Sequence, residues 1–338
     1  MTDVFAFAIG HSRKNALGEP LDYLFPSPLI KPNKEVANYI ASEFEIGVSN
    51  IEPIRLDKAC DQLSSIGLES SQLRRLARSD TLLDVIFINE DGPITSTAEA
   101  YLKLHLLSHR LALPNTINLD GIFAALPNNI WTNNGPIDPR EFLDSQISAR
   151  LDGSNLEVLL VDKFPRMTNY VVPGGVRIAD SSRIRLGAYI GSGTTVMHEG
   201  QINFNSGAIG PNMVEGRISQ GVILGANSDL GGSSSTMGTL SGGGEIKVSI
   251  GENCLIGANA GTGIPLGDRC TIEAGLYITA STPIQVYDEN HDPIEQLKAR
   301  ELSGGSDMLF IRNGKTGTIE CRTNKKAIAL NKQLHTHN

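Results

Sequence analysis

Residues 184–218 have the sequence IRLGAYIGSGTTVMHEGQINFNSGAIGPNMVEGRI, and this stretch decides the fold. Aliphatic side chains recur in it every six positions, a period that suits neither an α-helix nor an ordinary half-buried strand. A six-residue aliphatic repeat is typical of a parallel β-helix, in which each repeat sends one side chain inward to stack on the neighbouring coil. We therefore predict a mainly β protein built on a left-handed parallel β-helix.

The repeat continues on both sides of this stretch, with one shift of phase and one interruption. Its aliphatic positions are Ile178, Ile184, Ile190, Val196, Ile202, Ala208, Val214, Ile218, Leu224, Leu230, Ile250, Ile256, Leu266, Ile272, Ile278 and Ile284. In this region glycine often follows an aliphatic residue and relieves crowding where the chain turns a corner. These glycines are Gly187, Gly191, Gly225, Gly231, Gly251, Gly257 and Gly267. About three hexads make one triangular coil, so the pattern predicts roughly five or six coils.

Composition narrows the class of protein and its partners. A chain of 338 residues is long enough for two or three structural units. Aromatic residues make up only 5%, whereas glycine reaches 35 residues, a bias typical of solenoids that stack aliphatic side chains. The net charge is −8 and there is no basic run, so we expect no nucleic-acid partner.

The cysteines and the N-terminus indicate a cytoplasmic protein. Cys60, Cys254, Cys270 and Cys321 form no CxxC pair, which argues against a structural zinc site or a redox dithiol and favours reduced thiols. Residues 1–10 lack the basic and apolar segments of a signal peptide. No apolar run approaches the about 20 residues that span a bilayer, so we expect no membrane partner.

Four regions follow from the pattern: an N-terminal α/β domain at 1–114, a connecting region at 115–171, the β-helix at 172–285 and a C-terminal extension at 286–338. The first two should contain strands at 4–9, 82–89 and 156–162 and helices at 34–44 and 58–78. The only tryptophan, Trp131, is expected to anchor a packed loop.

A third N-terminal helix has clear boundaries in the sequence. Ser96 and Glu99 form a capping box at its start, and Pro114 stops it. Its buried stripe should be Tyr101, Leu104, Leu107 and Leu111.

Two later segments depart from the repeat. Residues 236–248, which include Gly238, Gly242, Gly243 and Gly244, should project from the coils as a loop. The C-terminal extension should leave the repeat, with short strands at 309–311 and 327–330 and a frayed polar tail.

The solenoid admits several chemistries. Hexapeptide β-helices host acyltransferases, sugar-nucleotide enzymes and γ-class carbonic anhydrases, an analogy at the level of the fold. A carbonic anhydrase needs three histidines for zinc, and the repeat contains only His198, which argues against this activity. His198 remains an alternative as a general base. Glu199 and Glu215 lie in similar strings, MHEG and MVEG. Two roles are open for each: a catalytic carboxylate or a solvated residue of a turn.

Longer sequence motifs distinguish between these activities. Residues 213–219 (MVEGRIS), 230–232 (LGG), 237–244 (MGTLSGGG), 273–279 (EAGLYIT) and 298–304 (KARELSG) together resemble the family of 2,3,4,5-tetrahydropyridine-2,6-dicarboxylate N-succinyltransferases, in its longer, actinobacterial and pseudomonad-like form. The resemblance covers residues 120–315 well and is weaker over the N-terminal 110. It implies transfer of a succinyl group from succinyl-CoA to the amino group of ring-opened tetrahydrodipicolinate, in the diaminopimelate route to lysine.

The resemblance also implies roles for particular residues. Glu215 matches the catalytic carboxylate, as general base or as a nucleophile that forms an acyl-anhydride. Arg217 is suited to bind the succinyl carboxylate, because guanidinium pairs with carboxylate bidentately; its alternative is a surface ion pair. The remaining matches line the succinyl-CoA groove or its nucleotide end: Gly232, Ser235, Ala258, Glu273, Ala274, Lys298, Arg312 and Asn313.

The family further implies a homotrimer with Mg²⁺ on its axis. Glu199 matches one ligand position, and the second aligns near Ser182, with Asp180 two residues earlier, so the sequence departs from the family pattern. Two alternatives to the succinyltransferase stay open: a hexapeptide acyltransferase for another amine or sugar, and a non-catalytic trimeric scaffold.

Overall fold

The computed structural model describes residues 3–69, 71–241 and 245–323. The chain divides into two compact units, which are described separately. Unit 1 comprises residues 1–112, 116–165 and 169–171, and unit 2 comprises residues 113–115, 166–168 and 172–338. Residues 116–165, expected to be a connecting region, thus belong with the N-terminal residues, and the four-region division stays a prediction.

Unit 1 combines two small antiparallel sheets with helices. Its strands are β1 (Ala6–Lys14), β2 (Pro20–Leu24), β3 (Leu29–Ile30), β4 (Gly47–Ile51), β5 (Leu83–Ile88), β6 (Asn129–Thr132), β7 (Gly135–Ile137) and β8 (Val158–Asp162). Its helices are α1 (Lys34–Glu43), α2 (Pro53–Ser65), α3 (Ser71–Leu76), α4 (Thr97–Ser108), α5 (Ile122–Ala125) and α6 (Phe142–Leu151). The first sheet has the order β2-β1-β5-β4 with β3 also on β1, and the second has the order β7-β6-β8.

The predicted strands and the first helix of unit 1 are confirmed. Strands β1, β5 and β8 cover most of the expected segments, and α1 begins after Asn33, whose Oδ1 accepts from the Val36 amide at 2.9 Å. The single helix expected at 58–78 is wrong. The chain leaves the helical conformation near Gly67, whose φ of +84° is favourable for glycine, and this break separates α2 from α3.

Helix α4 agrees with the sequence at its start and differs at its end. Ser96 Oγ accepts from the Glu99 amide at 3.2 Å, but the Glu99 carboxylate accepts from the Thr95 amide instead of that of Ser96, so the capping box is only half formed. The helix ends at Ser108, before Arg110 with φ of +64°. Leu111 therefore lies beyond it and is 44% exposed, whereas the other three members of the expected stripe are fully buried.

Trp131 is a packed anchor, but it lies on a strand and not in a loop. It belongs to β6, is 3% exposed and donates from Nε1 to the Asp162 carbonyl at 2.8 Å. Among the helices that the structure describes, none is long and apolar enough to cross a membrane.

Unit 2 is a stack of short strands. These are β9 (Arg177–Ile178), β10 (Ala188–Ile190), β11 (Thr195–Val196), β12 (Gln201–Ile202), β13 (Ser206–Ala208), β14 (Met213–Val214), β15 (Arg217–Ile218), β16 (Ile223–Leu224), β17 (Asp229–Leu230), β18 (Ser235–Thr236), β19 (Ser249–Ile250), β20 (Leu255–Ile256), β21 (Gly261–Thr262), β22 (Thr271–Ile272), β23 (Tyr277–Ile278), β24 (Pro283–Tyr287), β25 (Pro293–Lys298), β26 (Met308–Arg312) and β27 (Ile319–Thr323). Short 3₁₀ segments occupy Met167–Asn169, Ser181–Arg183 and Ala299–Leu302.

Parallel pairing between coils produces three faces. One sheet runs β9-β11-β14-β17-β20-β22-β26, a second β10-β13-β16-β19, and a third β12-β15-β18-β21-β23. From Ile178 to Ile278 the hexad residues point inward and stack in register, as the repeat predicts, whereas Ile284 pairs antiparallel with Leu297 of β25. All are buried except Ile178 in the first coil, which is half-buried. In the third sheet the buried column continues through Thr236 and Thr262, which the aliphatic pattern could not include.

The glycines relieve crowding between coils. A Cβ on Gly191 would lie 1.7 Å from the Ile209 carbonyl oxygen of the next coil, and one on Gly257 would lie 2.5 Å from the Ala274 amide nitrogen. Both distances are far below van der Waals contact, so a side chain at either position would push adjacent backbones apart. Gly187 differs, since its φ of +94° is itself the reason for glycine.

The interruption at residues 236–248 is confirmed as an insertion between two strands. Leu224 pairs with Ile250 although twenty-six positions separate them, whereas Ala208 pairs with Leu224 at a separation of sixteen. The described residues of the insertion pair antiparallel at Thr239 and Lys247, and the Leu240 amide donates to the Ile246 carbonyl at 2.9 Å. Gly242, Gly243 and Gly244 lie outside the described residues.

The C-terminal extension does not simply leave the repeat, contrary to expectation. Strand β26, which contains the predicted segment 309–311, pairs with β22, so that Phe310 stacks on Ile272 and is fully buried. Strands β27, β24 and β25 then extend this sheet. The strand predicted at 327–330 and the expected tail lie outside the described residues.

Prediction for the crowded corner: Gly191→Ala should lower the free energy of unfolding by about 2 kcal/mol, because the new methyl group overlaps the Ile209 carbonyl. The matched control is Gly314→Ala, where no atom lies within 4 Å of the new Cβ and φ is ordinary. Urea unfolding at one protein concentration measures both. Equal stability of the two variants would contradict the crowding.

Candidate active site

The corner that carries Glu215 is unusually short. Inward-facing Val214 and Ile218 are four positions apart, whereas Val196 and Ile202, which pair with them in the preceding coil, are six apart. This shortening is the phase shift seen in the sequence. Because pairing is kept on both sides of the corner, the two missing residues leave space between the neighbouring coils at Glu215.

Glu215 is fixed by its backbone and leaves its carboxylate available. Its amide donates to the Leu230 carbonyl at 2.8 Å, and its own carbonyl accepts from the Ser233 amide at 3.3 Å. The side chain is partly exposed, and Oε2 lies 3.5 Å from the point where a Cβ on Gly232 would stand. Within residues 3–69, 71–241 and 245–323, no side chain donates a hydrogen bond to this carboxylate. It is therefore free to take a proton or to attack an electrophile.

A second carboxylate reaches the same corner. Ser233 donates from Oγ to Glu199 Oε2 at 2.7 Å, so Glu199 spans the coil that holds Glu215. Sequence reasoning missed Ser233. Its position in the run Ser233-Ser234-Ser235, one coil beyond Glu215, was the available signal.

The donor set that the family resemblance implies for magnesium does not assemble within one chain. The Glu199 carboxylate already binds Ser233, and the Ser182 hydroxyl donates to Asp180 Oδ1 at 2.6 Å. The Ser182 hydrogen bonds lower the pKa of Asp180, and they hold its carboxylate within its own turn. In the part of the chain that the structure describes, no group of three or more His, Cys, Asp or Glu side chains could hold a metal ion. We assign no chemical step to a metal.

Arg217 lies on the face that follows the short corner. It begins β15, is exposed, and places Nε 3.5 Å from Ser235 Oγ on the next coil. It forms no ion pair with any described residue, which argues against the alternative role in a surface salt bridge. Its guanidinium is thus available for an external carboxylate.

Small residues form a row that begins next to Glu215 and crosses the successive coils of unit 2. Gly232, Ala258 and Ala274 each lie two positions after an inward aliphatic residue, and those residues pair in register from coil to coil. Arg312 occupies the same position one level further on, because Phe310 pairs with Ile272. At about 4.8 Å per strand spacing, the row from the Glu215 coil to Arg312 spans roughly 19 Å. We refer to Gly232, Ala258 and Ala274 as the small-residue row, which ends at Arg312.

Of the remaining residues predicted to contact CoA, Glu273 and Asn313 are held by other residues of the chain, and Lys298 lies outside the row. Glu273 accepts from the Arg312 amide at 2.7 Å and so ties the end of the row to β26. Asn313 donates to Glu320 Oε1 at 2.8 Å and accepts from the amides of Lys315 and Thr316, which uses its side chain within one turn. Lys298 is exposed at the end of β25, outside the row.

His198 has no positioning partner among the described residues. It is exposed on the turn beside Glu199, and no residue that the structure describes hydrogen-bonds its ring. Glu215 is half-buried and its carboxylate lies beside Gly232, whereas His198 is exposed, so the geometry favours Glu215 over His198.

Three family models match the chain. One is described as the N-terminal part of tetrahydrodipicolinate N-succinyltransferase and matches residues 55–124. Another, the middle part of the same enzyme, matches residues 126–166, and a hexapeptide repeat of succinyl-transferase matches residues 247–280.

Curated relatives extend the match over nearly the whole chain. The 2,3,4,5-tetrahydropyridine-2,6-dicarboxylate N-succinyltransferase of Pseudomonas aeruginosa is 53% identical over 340 residues, which cover 99% of each chain. Those of Pseudomonas putida and Vibrio cholerae are 52% and 49% identical, again covering 99% of each chain. The chain belongs to this family. It is accordingly an acyltransferase, and the family likeness includes the N-terminal region, where the sequence resemblance was weaker.

A solved structure supports the fold of this N-succinyltransferase family member. A Campylobacter jejuni protein, provisionally named 2,3,4,5-tetrahydropyridine-2-carboxylate N-succinyltransferase, is 30% identical and superposes with a TM-score of 0.86. The match covers 97% of this chain and 94% of that one.

Prediction for the row: Gly232→Ala should fold normally, because its methyl would stand 3.5 Å from Glu215 Oε2, an ordinary contact. The methyl would nevertheless lie where an acyl donor must approach the carboxylate, so kcat/KM for the acyl donor should fall at least about tenfold. Steady-state kinetics and a thermal unfolding midpoint measure the two effects, with Gly314→Ala as control. Unchanged kinetics would remove Gly232 from the site.

Proposed function

We propose that this chain transfers the succinyl group of succinyl-CoA to the amino group of ring-opened tetrahydrodipicolinate. The products are N-succinyl-2-amino-6-oxopimelate and CoA, in the diaminopimelate route of lysine biosynthesis. The observation that carries the proposal is the short corner. There no described side chain donates a hydrogen bond to the Glu215 carboxylate, and Arg217, two positions later, forms no ion pair with any described residue. The names of the relatives support the same reaction.

Glu215 can act in two ways. As a general base it removes a proton from the acceptor amine while the nitrogen attacks the thioester carbonyl; the C–S bond then breaks, and CoA leaves as a thiol that takes this proton. As a nucleophile it forms a bond from its carboxylate oxygen to that carbonyl carbon, the C–S bond breaks, and CoA leaves as a thiolate. The amine then attacks the succinyl carbonyl of the anhydride, the bond from that carbon to the Glu215 oxygen breaks and restores the carboxylate, and the thiolate takes the amine proton. Both routes end with the same products.

The surrounding residues suit the donor. Arg217 can bind the succinyl carboxylate with two parallel hydrogen bonds, and Ser235 lies beside its Nε. The small-residue row allows an extended pantetheine arm to lie close to the coils. Arg312 at its far end, and Lys298 on β25, are exposed cations suited to the phosphates of CoA.

Prediction for the catalytic carboxylate: Glu215→Gln should lose most turnover, by a factor of about 100 or more, because the amide can neither accept the proton nor form the anhydride. Release of free thiol from succinyl-CoA in the presence of tetrahydrodipicolinate measures it. Glu252→Gln, an exposed carboxylate of the same solenoid, is the matched control.

The same assay decides between functions. Thiol release by the unaltered protein only with tetrahydrodipicolinate supports the proposal. Release with acetyl-CoA and another amine or sugar would indicate a different hexapeptide acyltransferase, and no release with any donor would indicate a non-catalytic scaffold. Near-normal turnover of Glu215→Gln would exclude this residue from the mechanism.

Prediction for the route: incubation with succinyl-CoA alone should leave a succinyl adduct on Glu215 if the carboxylate is the nucleophile. Rapid acid quench and peptide mass spectrometry would locate it. An active enzyme that repeatedly yields no adduct supports the general-base route, and Glu215→Gln provides the blank.

We also propose that the coils wind left-handed and that three chains form a homotrimer. Three parallel sheets built on a six-residue repeat support the winding. A cation between the Glu199 carboxylates of three chains stays a prediction from the family resemblance. A cytoplasmic location is supported by the four buried free cysteines.

A further inference from the structure

Tyr277 lies on the same face as Arg217 and Ser235. The outward residues of the third sheet pair in register, from Arg217 to Ser235, from Ser235 to Gly261, and from Gly261 to Tyr277. Parallel strands repeat about every 4.8 Å, so these residues form one straight line across the face. Neither end of this line is covered by its neighbours, since Arg217 is exposed and Tyr277 is 37% exposed.

The ring of Tyr277 covers the outward side of Gly261. A Cβ on Gly261 would meet Tyr277 Cε2 at 2.2 Å and Cδ2 at 2.6 Å, so the ring occupies the space of a side chain at this position. The same Cβ would stand 2.6 Å from the Ser235 carbonyl oxygen, so the ring edge and the Ser235 backbone border one space. A tyrosine side chain is longer than one strand spacing and is therefore long enough to place its hydroxyl beyond Gly261 on the side of Ser235.

The Tyr277 hydroxyl has no hydrogen-bond partner among residues 3–69, 71–241 and 245–323. On the other side of Ser235, Arg217 approaches to 3.5 Å through Nε. Arg217 and Tyr277 thus lie on opposite sides of Ser235 along this line. Two donors and a hydroxyl around one point of a surface are suited to a carboxylate, which accepts several hydrogen bonds at once.

We propose that Tyr277 is a further binding residue for the acyl donor, and that its hydroxyl donates a hydrogen bond to the carboxylate of the succinyl group bound by Arg217. The inference rests on the proposed succinyl transfer. Tyr277 then helps the enzyme to select a dicarboxylic acyl group over one that ends in a methyl. Gly261 is required because only a position without a side chain leaves room for the ring.

Steady-state kinetics of Tyr277→Phe test this inference. The variant keeps the ring on Gly261 and removes only the oxygen, so it should fold like the unaltered protein. The KM for succinyl-CoA should rise about tenfold, the effect of losing one hydrogen bond to a charged group, while kcat changes little. Inhibition by free CoA, which has no succinyl carboxylate, should be unchanged.

Tyr189→Phe is the matched control. Tyr189 also lies opposite a glycine of the neighbouring coil, Gly207, but on the second sheet and not in the line of Arg217. An unchanged KM in Tyr277→Phe would overturn the inference. So would an equal rise in the inhibition constant of free CoA, because the hydroxyl would then contact the CoA part. Absence of activity in the unaltered protein would instead overturn the proposed function, so the two failures are distinguishable.

Discussion

In-register pairing of each strand with the strand one coil away is the constraint on which unit 2 depends. It fixes the distance between successive coils at one strand spacing along every face. Side chains inside the coils then stack in columns, as Val196, Val214 and Leu230 do. At the corners the backbones come so close that only glycine fits, which is why Gly191 and Gly257 have no room for a Cβ.

The same constraint explains the site. A coil can lose two residues at a corner only if the strands before and after it still pair, and both pairings are kept around Glu215. The shortened corner leaves space into which Glu199 extends to reach Ser233. The exposed small-residue row exists for a related reason, because in-register coils place equivalent positions directly beside one another.

The sequence predicts the features of unit 2 that depend only on the six-residue spacing of aliphatic residues. The inward columns, the phase shift at Glu215 and the insertion after Thr236 follow from spacing alone, and burial confirms the inward columns. The contact of Glu199 with Ser233 joins residues thirty-four positions apart and depends on the length of the corner between them. The return of Phe310 onto Ile272 and the ring of Tyr277 over Gly261 likewise depend on how coils meet, which no six-residue pattern contains. In unit 1, helical spacing predicted one continuous helix, and the left-handed Gly67 divides it.

A structure with a non-hydrolysable succinyl-CoA analogue tests most directly the claim that the short corner is the site of acyl transfer. We predict that the carbonyl carbon next to sulfur lies about 3–3.5 Å from a Glu215 carboxylate oxygen. The pantetheine arm should follow Gly232, Ala258 and Ala274 towards Arg312. A donor bound at another corner, with its carbonyl carbon beyond reach of Glu215, would contradict the claim.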